Sequence, residues 1–69
     1  MTLSMVNTGE IKQIIKVEGN DDTKKFLENL GFVTGSCVTV ISETRGNLIV
    51  NIKNSRVAID RSMANRIMV

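Results

Sequence analysis

The sequence predicts a mainly β domain, five short strands closing into a small barrel, with one short α-helix after strand one and a 3-10 turn before the last strand. Three observations predict it. Runs rich in Val, Ile and Thr recur at close spacing, divided by Gly-, Asn- and Asp-containing turns. One stretch alone, Asp21 to Gly31, carries helix start and stop signals. The chain has 69 residues, 42% of them apolar, and its only aromatics are Phe26 and Phe32. That is one domain, residues 1–69, with an aliphatic core. A chain this short gains from barrel closure, which removes exposed strand edges.

Thr8-Gly9-Glu10 punctuates the start, and Ile11 to Val17 follows as strand one. Its alternation is imperfect: Ile11, Ile15 and Val17 share a face with Gln13, while Ile14 lies between Lys12 and Lys16 on the other. Such a break marks either a bulge or a strand covered on both sides. Glu18-Gly19-Asn20-Asp21 is a loop of turn-forming residues.

The helix is expected over Asp22–Leu30. Asp21 and Asp22 suit its N-terminus, where side-chain oxygens accept from free N–H groups and negative charge meets the positive end of the dipole. Phe26, Leu27 and Leu30 form an apolar stripe that would plug one end of the barrel. Gly31 falls where the helix reverses into the left-handed region, with Leu27 and Phe32 as the apolar pair that closes a Schellman ending. Gly35 marks a second structural turn.

Cys37 to Ser42 reads as strand two, with Val38 and Val40 on one face and Cys37 as a small buried hydrophobe. A turn at Glu43–Asn47 leads to Leu48–Ile52, where Leu48, Val50 and Ile52 point inward. Lys53-Asn54-Ser55 turns into Arg56–Asp60, with Val57 and Ile59 inward. Ser62 to Asn65 has the length of a single 3-10 turn, and Ile67-Met68-Val69 supplies the last strand.

The chemistry is defined mostly by absence. There is no histidine, so the usual neutral-pH base, its nucleophile pairs and the commonest metal ligand are missing. Asp21-Asp22 reads as a helix cap, not an acid–base pair. One cysteine and four methionines make no transition-metal site. The expectation is therefore no enzyme, no catalytic residue, no metal ligand and no cofactor. Cys37 has no disulfide partner, no stretch approaches the roughly 18 apolar residues of a membrane span, and no secretory signal is evident, which together point to the cytoplasm.

Net charge is +2, with nine basic and seven acidic residues interspersed. Lys24, Lys25, Arg45, Arg56, Arg61 and Arg66 are candidate nucleic-acid contacts or simply a solvated surface. Two phenylalanines do not make a stacking platform for single strands. A small basic nucleic-acid-binding or general protein-interaction module stands as the alternative reading.

With these elements placed, the chain resembles the FeoA family, the small cytoplasmic partner of the bacterial ferrous-iron transport system. Leu27-x-x-Leu30-Gly31-Phe32-x-x-Gly35 is similar to the family's Leu-x-x-Leu-Gly-apolar-x-Pro-Gly signature. Thr8-Gly9-Glu10-Ile11 resembles its early turn, and Val57-Ala58-Ile59, Met63-Ala64 and Ile67-x-Val69 its closing pattern. Thr34 stands where the family has Pro, and Asp60 where it often has Arg. The resemblance implies an SH3-like barrel that binds FeoB, a membrane transporter with a cytoplasmic GTPase region, and modulates Fe(II) uptake in a family linked to transition-metal ions. It also implies a protein partner, with no nucleic acid and no membrane insertion, for a monomer or weak homo-oligomer. Lys24, Lys25 and Arg45 are the expected partner-binding residues, since charged rim groups steer encounter.

Overall fold

The apolar alternation sorts the chain onto two sheets. A computed structural model describes all residues, Met1–Val69. A 3-10 turn at Leu3–Met5 precedes β1 (Ile11–Gln13), β2 (Lys16–Val17), α1 (Asp22–Asn29), β3 (Cys37–Thr44), β4 (Asn47–Ile52), β5 (Ser55–Asp60), α2 (Arg61–Ala64) and β6 (Ile67–Met68). The strands form a four-stranded sheet in the order β1-β3-β4-β5 and a two-stranded sheet of β2 and β6, antiparallel throughout.

The single first strand expected over Ile11–Val17 is two strands, so five apolar runs become six strands. Between them the backbone changes partner: the Ile14 N–H donates to Ser36 O at 2.8 Å, the Ile15 N–H to Met68 O at 2.8 Å. The bend resets the facing. Ile14 and Val17 are buried, while Ile11 and Ile15 are 68% and 61% exposed. The irregular alternation therefore records a crossing from one sheet to the other. That crossing wraps the barrel, but the ladder is not a closed ring: β5 pairs with β4 alone. The expected removal of every edge does not occur.

Two tight hairpins build the larger sheet. Arg45-Gly46 (φ 50° and 82°) joins β3 to β4, and Lys53-Asn54 (φ 52° and 63°) joins β4 to β5. Positive φ at both central positions is the type I′ geometry, whose twist matches that of the flanking strands. Leu48, Val50, Ile52 and Ile59 are buried as their alternation requires, with Val57 packed against them. A register shift between Val40 and Ser42 leaves Ile41 as a bulge in β3.

The Asp21 carboxylate caps α1, accepting from the Lys24 N–H at 3.3 Å. At the other end the Phe32 N–H donates to Leu27 O and the Gly31 N–H to Glu28 O, both at 3.0 Å, with Gly31 at φ 110°. This is the Schellman pattern, and Leu27 and Phe32 are both fully buried beneath it. The stripe is narrower than expected: Phe26 is 51% exposed, so Leu27 and half-buried Leu30 alone face the core. On a short helix, Phe26 and Leu27 diverge by about 100°, and the apolar contact goes to Leu27 and Phe32.

The core is 14 residues, all apolar, from Leu3 near the start to Ile67 near the end. The turn before the last strand is one turn of α-helix rather than 3-10. The Asp60 carboxylate accepts from the Met63 N–H at 2.8 Å, and the Asn65 N–H reaches back to Arg61 O at 2.9 Å, an i to i−4 bond. Cys37 is exposed, not a buried hydrophobe, because Val38 takes the inward position and pleating turns its neighbour out. The chain ends meet: Thr2 bridges Met68, and the Val69 N–H donates to Met1 O at 2.9 Å.

Candidate functional site

With every polar side chain outside the core, function must lie on the surface. Four ion pairs occupy part of it: Lys12–Glu10 at 3.9 Å, Lys16–Glu18 at 3.6 Å, Arg61–Glu43 at 2.9 Å and Arg66–Asp21 at 2.7 Å. Lys24, Lys25, Arg45, Lys53 and Arg56 have no such partner and keep their full charge for other contacts. All three expected partner-binding cations are in this second group.

The structure keeps Lys24 and Lys25 together but places Arg45 apart. The lysines are neighbours on α1, Lys24 half-buried and Lys25 exposed, followed at once by the exposed ring of Phe26. The exit of α1 at Gly31 lies against Ile52 and Lys53, by the Val38–Ile52 end of the β3–β4 ladder. Arg45 is at the tip beyond Thr44–Asn47, the opposite end of the same ladder. Gly31 and Gly35 both hold positive φ, 110° and 92°. Gly35 donates its N–H to Ile14 O at 2.8 Å and accepts from the Gln13 side-chain amide at 3.2 Å.

Two of the candidate surface cations, Arg61 on Glu43 and Arg66 on Asp21, have structural work instead. Arg66 hydrogen-bonds the same Asp21 oxygen that caps α1, tying the helix start to the loop before β6. That guanidinium, with the Lys24 backbone N–H, holds the Asp21 carboxyl below its ordinary range, while Asp21 pushes Arg66 up. Asp60 is likewise lowered, by the Met63 N–H and the Ser62 hydroxyl. Every one of these shifts moves its group away from neutrality, the reverse of what a general acid or base requires. No three His, Cys, Asp or Glu side chains gather around a common point. No helix is long and apolar enough to cross a membrane.

Sequence reading missed a shallow depression of about 340 Å³ on the outer face of the larger sheet, bordered by Ile11, Cys37, Thr39, Asn51 and Lys53. Its signal was present in the alternation, since Cys37, Thr39 and Asn51 are the outward partners of Val38, Val40 and Ile52.

An all-apolar interior under two small antiparallel sheets, with α1 joined to it through Leu27 and Leu30, defines the SH3-like class of barrel. The FeoA domain family model matches residues 1–69, and the chain belongs to the FeoA family, which is associated with ferrous-iron transport. FeoA of Stenotrophomonas maltophilia, solved with zinc and described as a prokaryotic SH3 domain protein, is 29% identical with a TM-score of 0.89, over 100% of this chain and 88% of that one. A crystal structure of an iron uptake regulatory protein (FeoA) is 23% identical with a TM-score of 0.92, over 100% and 93%. A manganese-dependent transcriptional repressor shares the fold at 17% identity and a TM-score of 0.87, over 97% of this chain but 39% of its own. No curated protein sequence matches the chain.

Proposed function

We propose that this chain is a non-enzymatic, cytoplasmic accessory protein of ferrous-iron transport that binds the GTPase region of a FeoB-like membrane transporter and modulates Fe(II) uptake. The observation that carries this reading is the FeoA match over the whole chain. The surface supports it: Lys24 and Lys25 carry unpaired charge beside the exposed Phe26, an apolar anchor with a cationic rim on one rigid helix. Arg45 offers a second, separate contact at the β3–β4 tip. Iron is the transporter's cargo in this scheme, and the chain contributes a surface rather than a ligand set.

The test is titration of the transporter's purified cytoplasmic GTPase region with the wild type, with Lys24→Glu/Lys25→Glu and with Arg45→Glu, at two salt concentrations. Reversing two rim charges should slow association and weaken binding on the order of tenfold, with a smaller salt dependence. Absence of binding by the wild type overturns the partner. Equal binding by all three proteins removes the cations from the contact and leaves the partner in place. Capture of nuclease-sensitive material alone from lysate favours the nucleic-acid reading.

A further inference from the structure

The outer edge of β5 is unguarded. β5 meets β4 through a two-residue turn, with Ser55 opposite Ile52 and an unbroken register to Asp60 opposite Asn47. In such a hairpin the residues flanking the turn form a hydrogen-bonded pair, and the pairs alternate from there. Ser55, Val57 and Ile59 therefore spend their amide groups on β4, while those of Arg56 and Ala58 point away from it. No hydrogen bond formed outside the helices and ladders uses a backbone group of Arg56 or Ala58. Several devices that normally blunt such an edge are missing: there is no proline in the chain, no bulge in the β4–β5 register, and no lysine within β5, whose two exposed charges, Arg56 and Asp60, are of opposite sign.

We propose that this edge pairs with β5 of a second copy of the chain, antiparallel about a two-fold axis at Ala58, joining two four-stranded sheets into one of eight strands. The occupant is read from the strand's own sequence. With Ala58 opposite Ala58, Arg56 of each copy stands opposite Asp60 of the other, on the same outer face. Arg56 has no ion-pair partner within its own chain, and both cap bonds of Asp60 use Oδ1, leaving Oδ2 free. Opposite charges directly across an antiparallel pair stabilise it, and like charges destabilise it. On the inner face the same register sets half-buried Val57 against Ile59, covering apolar surface that a lone barrel leaves at its rim. Ala58, at the axis and exposed, carries too little side chain to hold the strands apart. A register displaced by two residues would bring Arg56 opposite Ala58 and lose both charge pairs.

Sedimentation over a concentration series tests the association, and a cysteine trap tests the register. The wild type should pass from monomer to dimer below about 1 mM, the weak range open to a small interface. Ala58→Pro removes an outward N–H that β4 does not use, so the barrel is kept and the dimer lost. Arg56→Glu places like charge opposite Asp60 and should raise the dissociation constant about tenfold or more. In a Cys37→Ser background, Ala58→Cys should oxidise to a disulfide-linked dimer, because hydrogen-bonded partners lie about 5.5 Å apart at Cα, within disulfide reach. Arg56→Cys in that background should not, since its copies would be separated by four residues of strand, roughly 13 Å. If Ala58→Pro fails to fold, Arg56→Glu and the two cysteine variants still decide. A monomer at all concentrations overturns the proposal. So does a dimer that survives Arg56→Glu, or cross-linking that does not distinguish position 58 from position 56.

Discussion

Replacing Gly31 with Ala acts at the point where α1 is fastened to the larger sheet. Two costs add. The φ of 110° lies where a side chain is strained, which costs about 1–2 kcal/mol for an L-residue. The new Cβ would also stand 2.6 Å from Lys53 Cγ and 3.4 Å from Ile52 Cγ1. The clash is with the base of the Lys53 side chain, whose Cβ is itself 3.5 Å from the new atom, and not with its freely moving end. Overpacking of this kind costs about 1 kcal/mol or more. The total is about 2–3 kcal/mol, a fall in Tm of roughly 10–20 °C for a domain of this size. Gly35→Ala is the control, because Gly35 has φ 92° but nothing within 4 Å of its added Cβ, so it bears the backbone cost alone. Lys53→Ala supplies the second arm: it removes the Cγ and leaves a Cβ at 3.5 Å, an ordinary contact. Urea denaturation of the four proteins and of Gly31→Ala/Lys53→Ala should show Gly31→Ala the least stable and the double variant partly recovered. Equal losses at Gly31 and Gly35, with no recovery from Lys53→Ala, would refute the close approach of α1 to the turn.

The two aromatics should respond oppositely to truncation. Phe32→Ala empties a fully buried site and should cost about 3–5 kcal/mol, whereas Phe26→Ala, at a position 51% exposed, should stay within about 0.5 kcal/mol in the same denaturation assay. Acid should act through the two caps. The folded chain holds the Asp21 and Asp60 carboxyls below their ordinary value of 3.8. The unfolded chain therefore takes up more protons below that value, so this stabilisation is complete above it and is lost as pH falls through the folded values. A calorimetric pH series should show Tm steady above about pH 5 and declining below about pH 4, less steeply in Asp21→Asn/Asp60→Asn.

What the sequence made legible was set by local rules. Gly31 needs a conformation that only glycine enters freely, so the helix exit was visible from Leu27, Gly31 and Phe32 alone. The hairpin strands were visible because Leu48, Val50, Ile52 and Ile59 alternate without interruption. What was hidden depends on tertiary partners. Ile14 and Ile15 look alike in sequence, and only the switch from Ser36 to Met68 as hydrogen-bond partner decides which is buried. Leu3 is fully buried, yet its segment carries no periodicity to announce it. Arg66 and Arg61 looked like their unpaired neighbours until Asp21 and Glu43 were brought to them from 45 and 18 residues away. Of the proposed contact residues, the pairing of Lys24 with Lys25 was in the sequence, and the separation of Arg45 from them was not.

The meeting of Met1 with Val69 makes the chain a nearly closed circuit. Anything fused ahead of Met1 and anything fused behind Val69 would leave the barrel at the same point, beside the Thr2–Met68 bridge. A host protein could therefore carry this barrel as a terminal appendage or as an insert within one of its loops, at little cost in geometry, because the two junctions nearly coincide. The repressor that shares this fold over a minor part of its length illustrates the portability of such a unit. For the engineer, the same circuit means that joining the termini with a short linker and opening the chain at Arg45-Gly46 would leave every apolar side chain in its place.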